Sequence, residues 1–163
     1  MDDVTTLCEI EAIKALKSRY CRLLDTKDWQ SWRALFTDDF VSDTSNAGGR
    51  VIHGADEFVA FTRRSLRAQP TVHQVHAPEI ELTSATTARG IWALEDVVRF
   101  GPGVNLRGYG HYTETYEKSG EHWRIKTSAL TRLREDVFNG LFAVYLSPRL
   151  RRVLMKSARR ITK

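Results

Sequence analysis

Apolar residues recur at Ile10, Ile13, Leu16, Tyr20 and Leu23/Leu24 within residues 7 to 24. That three- and four-residue spacing predicts an amphipathic helix. Asp28 then stands where an N-cap would, before a short second helix carrying Trp29, Trp32, Leu35 and Phe36. The stretch "DDFVSDTSNAGGRVIHG" reads as strand, glycine turn and strand. A third helix is expected over residues 55 to 68, opened by Asp56-Glu57, lined by Phe58, Val59, Phe61 and Leu66, and closed by Pro70. Beyond it the period changes to two. Residues 71 to 83, 86 to 100, 105 to 118 and 122 to 135 alternate, separated by "SATT", "GPGVN" and "KSGE". They predict four long antiparallel strands. Pro78 should bulge the first of these or place it at a sheet edge.

Helices first and a curled antiparallel sheet second define an α+β chain. Such a sheet can wrap the N-terminal helices as a cone with one open mouth, suited to an apolar ligand. The 163 residues are read as one domain, 1–137, followed by a tail, 138–163.

Locating the charge changes its meaning. The formal net charge is +5, yet residues 147 to 163 hold seven cations and no acid, leaving residues 1 to 146 at −2. The basic character belongs to the tail, and a nucleic-acid partner is not expected. Leu150, Val153, Leu154, Ala158 and Ile161 make a helical stripe there, after a break at Pro148. Docking on the body or on a neighbouring subunit is the favoured expectation over contact with an anionic membrane surface. The start "MDDVTTLCEI" lacks the basic and apolar regions of a signal peptide. Cys8 and Cys21, about 20 Å apart if both are helical, suggest reduced thiols in a cytoplasmic protein.

Candidate chemistry begins with Tyr20, whose place on the apolar stripe buries a hydroxyl that needs a partner. Asp25 is five residues on, about 140° further round an ideal helix. It meets the cavity of Tyr20 only if the helix ends near Leu24 and the chain turns inward. In "TVHQVHAPEI" one of His73 and His76 faces inward and the other outward, and alternation does not say which. No spacing suggests a metal site. Trp92, Leu94, Asp96, Val98 and Phe100 share a face, so Asp96 is either a buried acid or lies at the rim of a subunit contact. Tyr112 alternates with Gly110 and Glu114. Arg132 and Arg134 fall on one face near the end of the last strand and could meet a carbonyl or anionic group.

The order of elements, with "YCRLLDTKDWQSWRALFTDDFVSD", "TVHQVHAPEIEL" and "RGYGHYTETYEKSGEHWRI", resembles the SnoaL-like branch of the nuclear-transport-factor-2-like (cystatin-like) superfamily over residues 8 to 136. That resemblance implies a cone-shaped α+β barrel, commonly a dimer or trimer through its sheet. Within the branch the chain is similar to the scytalone dehydratase and bile-acid 7α-dehydratase families. "DTKDW" resembles the former's "DSKDW", which makes Asp25 a catalytic-pocket residue and His73 the inward histidine. Tyr20 with Asp25 matches the latter's Tyr-x4-Asp, and Arg132 is the nearest counterpart of its late-strand arginine. Trp92, Asp96 and Tyr112 would then line the substrate. Two departures, Val98 and Leu24, stand where scytalone dehydratase has a second histidine and a tyrosine, so scytalone is not the expected substrate.

The resemblance implies a cofactor-independent dehydratase acting on a hydrophobic polycyclic hydroxy-carbonyl compound, steroid-like or polyketide-like, with no metal. His73 would move the proton, Asp25 orient it, and Tyr20 hydrogen-bond an oxygen. An alternative follows from "TDDFVSD", which resembles the ketosteroid isomerase segment that supplies its base and points to Asp43. A non-catalytic binder of apolar ligands is the third reading.

Overall fold

In the computed structural model, which describes residues 2–101, 103–139 and 141–145, the first helix runs longer than its stripe suggested. α1 (Asp3–Thr26) starts at Asp2, whose carboxylate accepts from Thr5 N–H at 2.8 Å. It buries Ile13, Leu16, Lys17, Tyr20, Cys21, Leu23 and Leu24 along one side. Its cap is Lys27 in the left-handed region (φ 62°), whose N–H returns to the last carbonyls of the helix. Asp28 caps α2 (Trp29–Arg33) by accepting from Ser31 N–H, as its position suggested. Leu35 and Phe36 fall outside that helix, because Phe36 already opens β1 (Phe36–Asp43).

A short 3-10 turn (Ser45–Ala47) leads to β2 (Val51–His53) and then α3 (Ala55–Leu66). The long strands follow: β3 (Thr71–Leu82), β4 (Thr87–Gly101), β5 (Val104–Ser119) and β6 (His122–Phe138). β7 (Ala143–Tyr145) folds back on the end of β6. The sheet order is β2-β1-β6-β5-β4-β3, antiparallel except where β1 runs parallel to β6. This is the α+β cone, with α1 against the inner face. Both fates foreseen for Pro78 occur together. β3 is the edge strand, and Ala77 and Pro78 together oppose Trp92 in a bulge, with Ala77 at φ 45°. The stripe after Pro148 lies outside the described residues.

The inner face fills with rings. Tyr20 packs against Trp32 and Phe36, which in turn meet Phe40 and Phe58, with neighbouring ring centroids 4.5 to 6.0 Å apart. Among the described residues, no helix is long and apolar enough to cross a membrane. Both cysteines are free thiols. Burial pushes Cys21 up to about 11, which keeps it protonated at neutral pH.

Candidate active site

Parity on β3 resolves the histidines. Val72, Gln74 and His76 are exposed, while His73 and Val75 face the interior. His73 stands opposite Asp96 in the β3–β4 register. The last turn of α1 reaches this strand directly. Asp25 Oδ2 accepts the His73 backbone N–H at 2.8 Å, and Oδ1 lies 2.7 Å from His73 Nδ1. Thr71 Oγ1 donates to the same Oδ1 at 2.8 Å. An ionised carboxylate only accepts, so Nδ1 is the protonated nitrogen of the neutral ring, the tautomer in which Nε2 is the acceptor. The His73 side chain is 8% exposed and that of Asp25 21%.

Asp25 reaches His73 by a route the helix geometry did not suggest. The helix continues to Thr26 rather than ending near Leu24. Asp25 is brought to β3 from the end of the helix, while Tyr20 points into the ring cluster. The two residues serve different sides of the site.

Asp96 is interior, 2% exposed, with Trp92 and Leu94 on the same face. Its Oδ2 accepts from Arg132 Nη2 at 2.6 Å. Arg132 also lies 3.5 Å from Glu135 through Nε. Arg134, expected beside Arg132, is on the other face. Gly110 pairs with Arg132 and Tyr109 with Arg134, so Leu133 is an extra residue, 67% exposed, and reverses the parity behind it. Arg134 instead meets Asp136 at 3.0 Å on the outside.

Two buried atoms of this pair, Asp96 Oδ1 and Arg132 Nη1, have no hydrogen-bond partner. Both sit over Gly108, where a Cβ would run into Nη1 and come within 2.6 Å of Oδ1. Glycine is needed here for close approach rather than for its torsion angles. Gly108→Ala should therefore displace the pair, costing about 1–3 kcal/mol by overpacking. A lowered urea midpoint together with lost activity would show it, and an unchanged midpoint would show that the pair has room.

Tyr112 lies next to this pair and 6.1 Å, ring to ring, from Tyr20. Burial holds both phenols well above their ordinary value. The Asp96 charge adds to the rise at Tyr112, and the neighbouring Tyr112 and Glu114 add to it at Tyr20. Both remain hydrogen-bond donors. Trp92 is turned inward but is engaged, donating from Nε1 to Tyr116 Oη at 2.7 Å. Asp43 does not join the cluster. It alternates with the buried Phe40 and Ser42, and its carboxylate accepts from Ser45 N–H and Oγ at 2.8 and 2.6 Å. Those bonds hold it below the usual carboxylate range.

Beneath Tyr20 and Tyr112 lies a charged layer absent from the sequence-based site. Lys17 Nζ donates to Glu114 Oε1 at 2.6 Å, both side chains being wholly buried. Glu114 also accepts from Tyr116 Oη at 2.6 Å and Ser128 Oγ at 2.9 Å. The ammonium stands 4.1 Å from the Tyr20 centroid and 3.9 Å from that of Tyr112. A signal existed. Lys17 falls one turn after Ile13 and three residues before Tyr20, on the apolar stripe, and Glu114 shares parity with Tyr112 and Tyr116. No group of three or more His, Cys, Asp or Glu side chains forms a metal-binding cluster among the described residues.

The SnoaL-like domain profile matches residues 5–129. The probable cyclase FGR4 of Gibberella zeae is 26% identical over 133 residues, covering 74% of this chain and 89% of that protein. Two solved structures share the fold. A protein of Novosphingobium aromaticivorans bearing the name putative scytalone dehydratase has a TM-score of 0.73 at 22% identity, covering 82% of this chain and 90% of that one. The hexachlorocyclohexane dehydrochlorinase LinA-type3 of Novosphingobium barchaimii has a TM-score of 0.69 at 16% identity, covering 90% and 96%.

Proposed function

Because the chain belongs to the SnoaL-like family, we propose that it is a cofactor-independent lyase, a dehydratase of hydrophobic polycyclic hydroxy-carbonyl compounds of steroid or polyketide type. One observation carries the reading. A histidine with its Nδ1 bound to a carboxylate faces, across one strand pair, a buried guanidinium–carboxylate pair that keeps a donor and an acceptor unused. Buried polar atoms without partners are costly, and a bound oxygen substituent would satisfy them. A hydroxy-carbonyl compound brings both an acceptor for Arg132 Nη1 and a hydroxyl donor for Asp96 Oδ1.

In the proposed reaction His73 Nε2 takes the proton α to the carbonyl, and electron density moves to the carbonyl oxygen. Arg132 and the un-ionised Tyr20 and Tyr112 stabilise that oxygen. The C–O bond of the β-hydroxyl then breaks as the imidazolium returns its proton, and water leaves. Asp25 keeps the ring oriented and stabilises its charged form. Scytalone dehydratase and dehydrochlorinase, the names borne by two of the similar proteins, denote eliminations of water and of hydrogen chloride, which supports the reaction class.

The test is incubation of the purified protein with a panel of steroid and polyketide β-hydroxy ketones without added cofactor. A product lighter by one water is expected. A ligand retained unchanged would instead identify a binding protein, and a product of unchanged mass an isomerase. Asp43→Asn distinguishes the ketosteroid-isomerase-like alternative. Its hydrogen bonds to Ser45 make Asp43 a weaker base, contrary to what enolisation needs. Turnover should stay within about twofold of wild type, since exposed polar substitutions away from the reacting atoms have small effects. A collapse of activity in Asp43→Asn would move the base to β1.

A further inference from the structure

Asp25 is held by more than the histidine it faces. Thr71, the first residue of β3, is buried, and its hydroxyl donates to Asp25 Oδ1 at 2.8 Å. The same hydroxyl oxygen accepts from Lys27 Nζ at 2.6 Å. A hydroxyl has one proton and an ammonium has only donors, so the Lys27 contact forces the Thr71 proton toward Asp25. Lys27 reaches Thr71 from an unusual backbone. It is a non-glycine residue at φ 62° closing α1, where glycine is the usual choice. From there its ammonium also meets Leu24 O at 3.2 Å.

We propose that Lys27 and Thr71 are positioning residues for the Asp25–His73 pair, a one-directional chain of hydrogen bonds, Lys27 to Thr71 to Asp25, that fixes which nitrogen of His73 carries the proton. Asp25 then receives three donors: the Thr71 hydroxyl, the His73 backbone N–H and His73 Nδ1–H. The first two set the plane of the carboxylate independently of the ring, so the ring finds an acceptor already aimed at Nδ1. Without Thr71, Oδ1 loses the donor that anchors it and the carboxylate can turn about the remaining backbone bond. The imidazole would then distribute its proton between both nitrogens, and only one of those forms presents a free Nε2 to substrate. Lys27 acts one step further out, by denying Thr71 the alternative of donating elsewhere.

The role in turnover rests on His73 being the base, whereas the tautomer itself is read in the substrate-free protein. The experiment is nitrogen-15 NMR of the histidine side chains in wild type, Thr71→Val, Thr71→Ser, Lys27→Met and Lys27→Arg, with His73→Ala used to assign its signals. Wild type should show one protonated Nδ1 and one unprotonated Nε2. Thr71→Val, the same shape without a hydroxyl, should give averaged nitrogen shifts, and Thr71→Ser should restore the single tautomer. Lys27→Met should shift the average in the same direction, with Lys27→Arg restoring it. On any substrate found, kcat should fall about tenfold to a hundredfold in Thr71→Val with KM little changed, as expected for a misplaced reacting group. A single Nδ1–H tautomer retained in both Thr71→Val and Lys27→Met would overturn the proposal even if the protein proves to be a dehydratase. The averaged signature would uphold it even if the panel yields no product. Should Thr71→Val fail to fold, the half-buried Lys27→Met decides alone.

Discussion

His73→Ala should lower turnover by about 10²–10⁴-fold, the range expected for removing a positioned general base, while leaving thermal unfolding close to wild type. The separation of the two effects follows from how Asp25 is bonded. Two of its three donors, the Thr71 hydroxyl and the His73 backbone N–H, survive the substitution. The carboxylate at the end of α1 therefore keeps its place on β3, and only the ring that would touch substrate is lost. Turnover measured by loss of water from a substrate identified in the panel, beside a melting curve, provides the check. Retained turnover would remove His73 from the mechanism. A large fall in stability would mean that the ring, more than its backbone, joins α1 to β3.

Lys17→Met should cost about 3–5 kcal/mol of stability, the range for breaking a buried pair by removing one partner. The substitution leaves Glu114 with Tyr116 and Ser128 as donors but no counter-charge, at a site with no water access. Against a net stability of about 5–15 kcal/mol for an ordinary domain, that is a large fraction. Lys17→Met combined with Glu114→Gln should recover most of it, since removing both charges leaves no uncompensated one and the amide still accepts from Tyr116 or Ser128. Urea unfolding of the three variants measures this coupling. If the single variant unfolds like wild type, the buried pair carries little net stability. Turnover of the double variant is a separate reading, because the ammonium lies against both the Tyr20 and Tyr112 rings.

The long strands were legible because each alternates over more than ten residues between turn-forming stretches, and Pro78 marked its own bulge. The bulge at Leu133 was not legible. "TRLRE" has no proline or glycine to announce it, so simple alternation placed Arg134 beside Arg132. Lys17 and Glu114 are hidden in the sequence for a different reason. A charge on an apolar stripe is ordinarily read as solvated, and only the closing of β5 and β6 over α1 shows that each is the other's partner. The Asp25–His73 contact is legible only through the family resemblance of "DTKDW". Helical spacing measured Asp25 against Tyr20, but its real neighbour is a strand nearly fifty residues later that crosses the end of the helix.

That crossing also bears on the open edge of the sheet. The ladder phase, set by Arg99 N–H donating to Pro70 O, turns the His73 N–H away from β4 and off the open side of the sheet. An outward amide on an edge strand is a place where a second chain can add. Here Asp25 Oδ2 already occupies it, as a carboxylate that any incoming strand would have to displace. The carboxylate that accepts from the His73 ring thus also takes up one outward amide of the β3 edge.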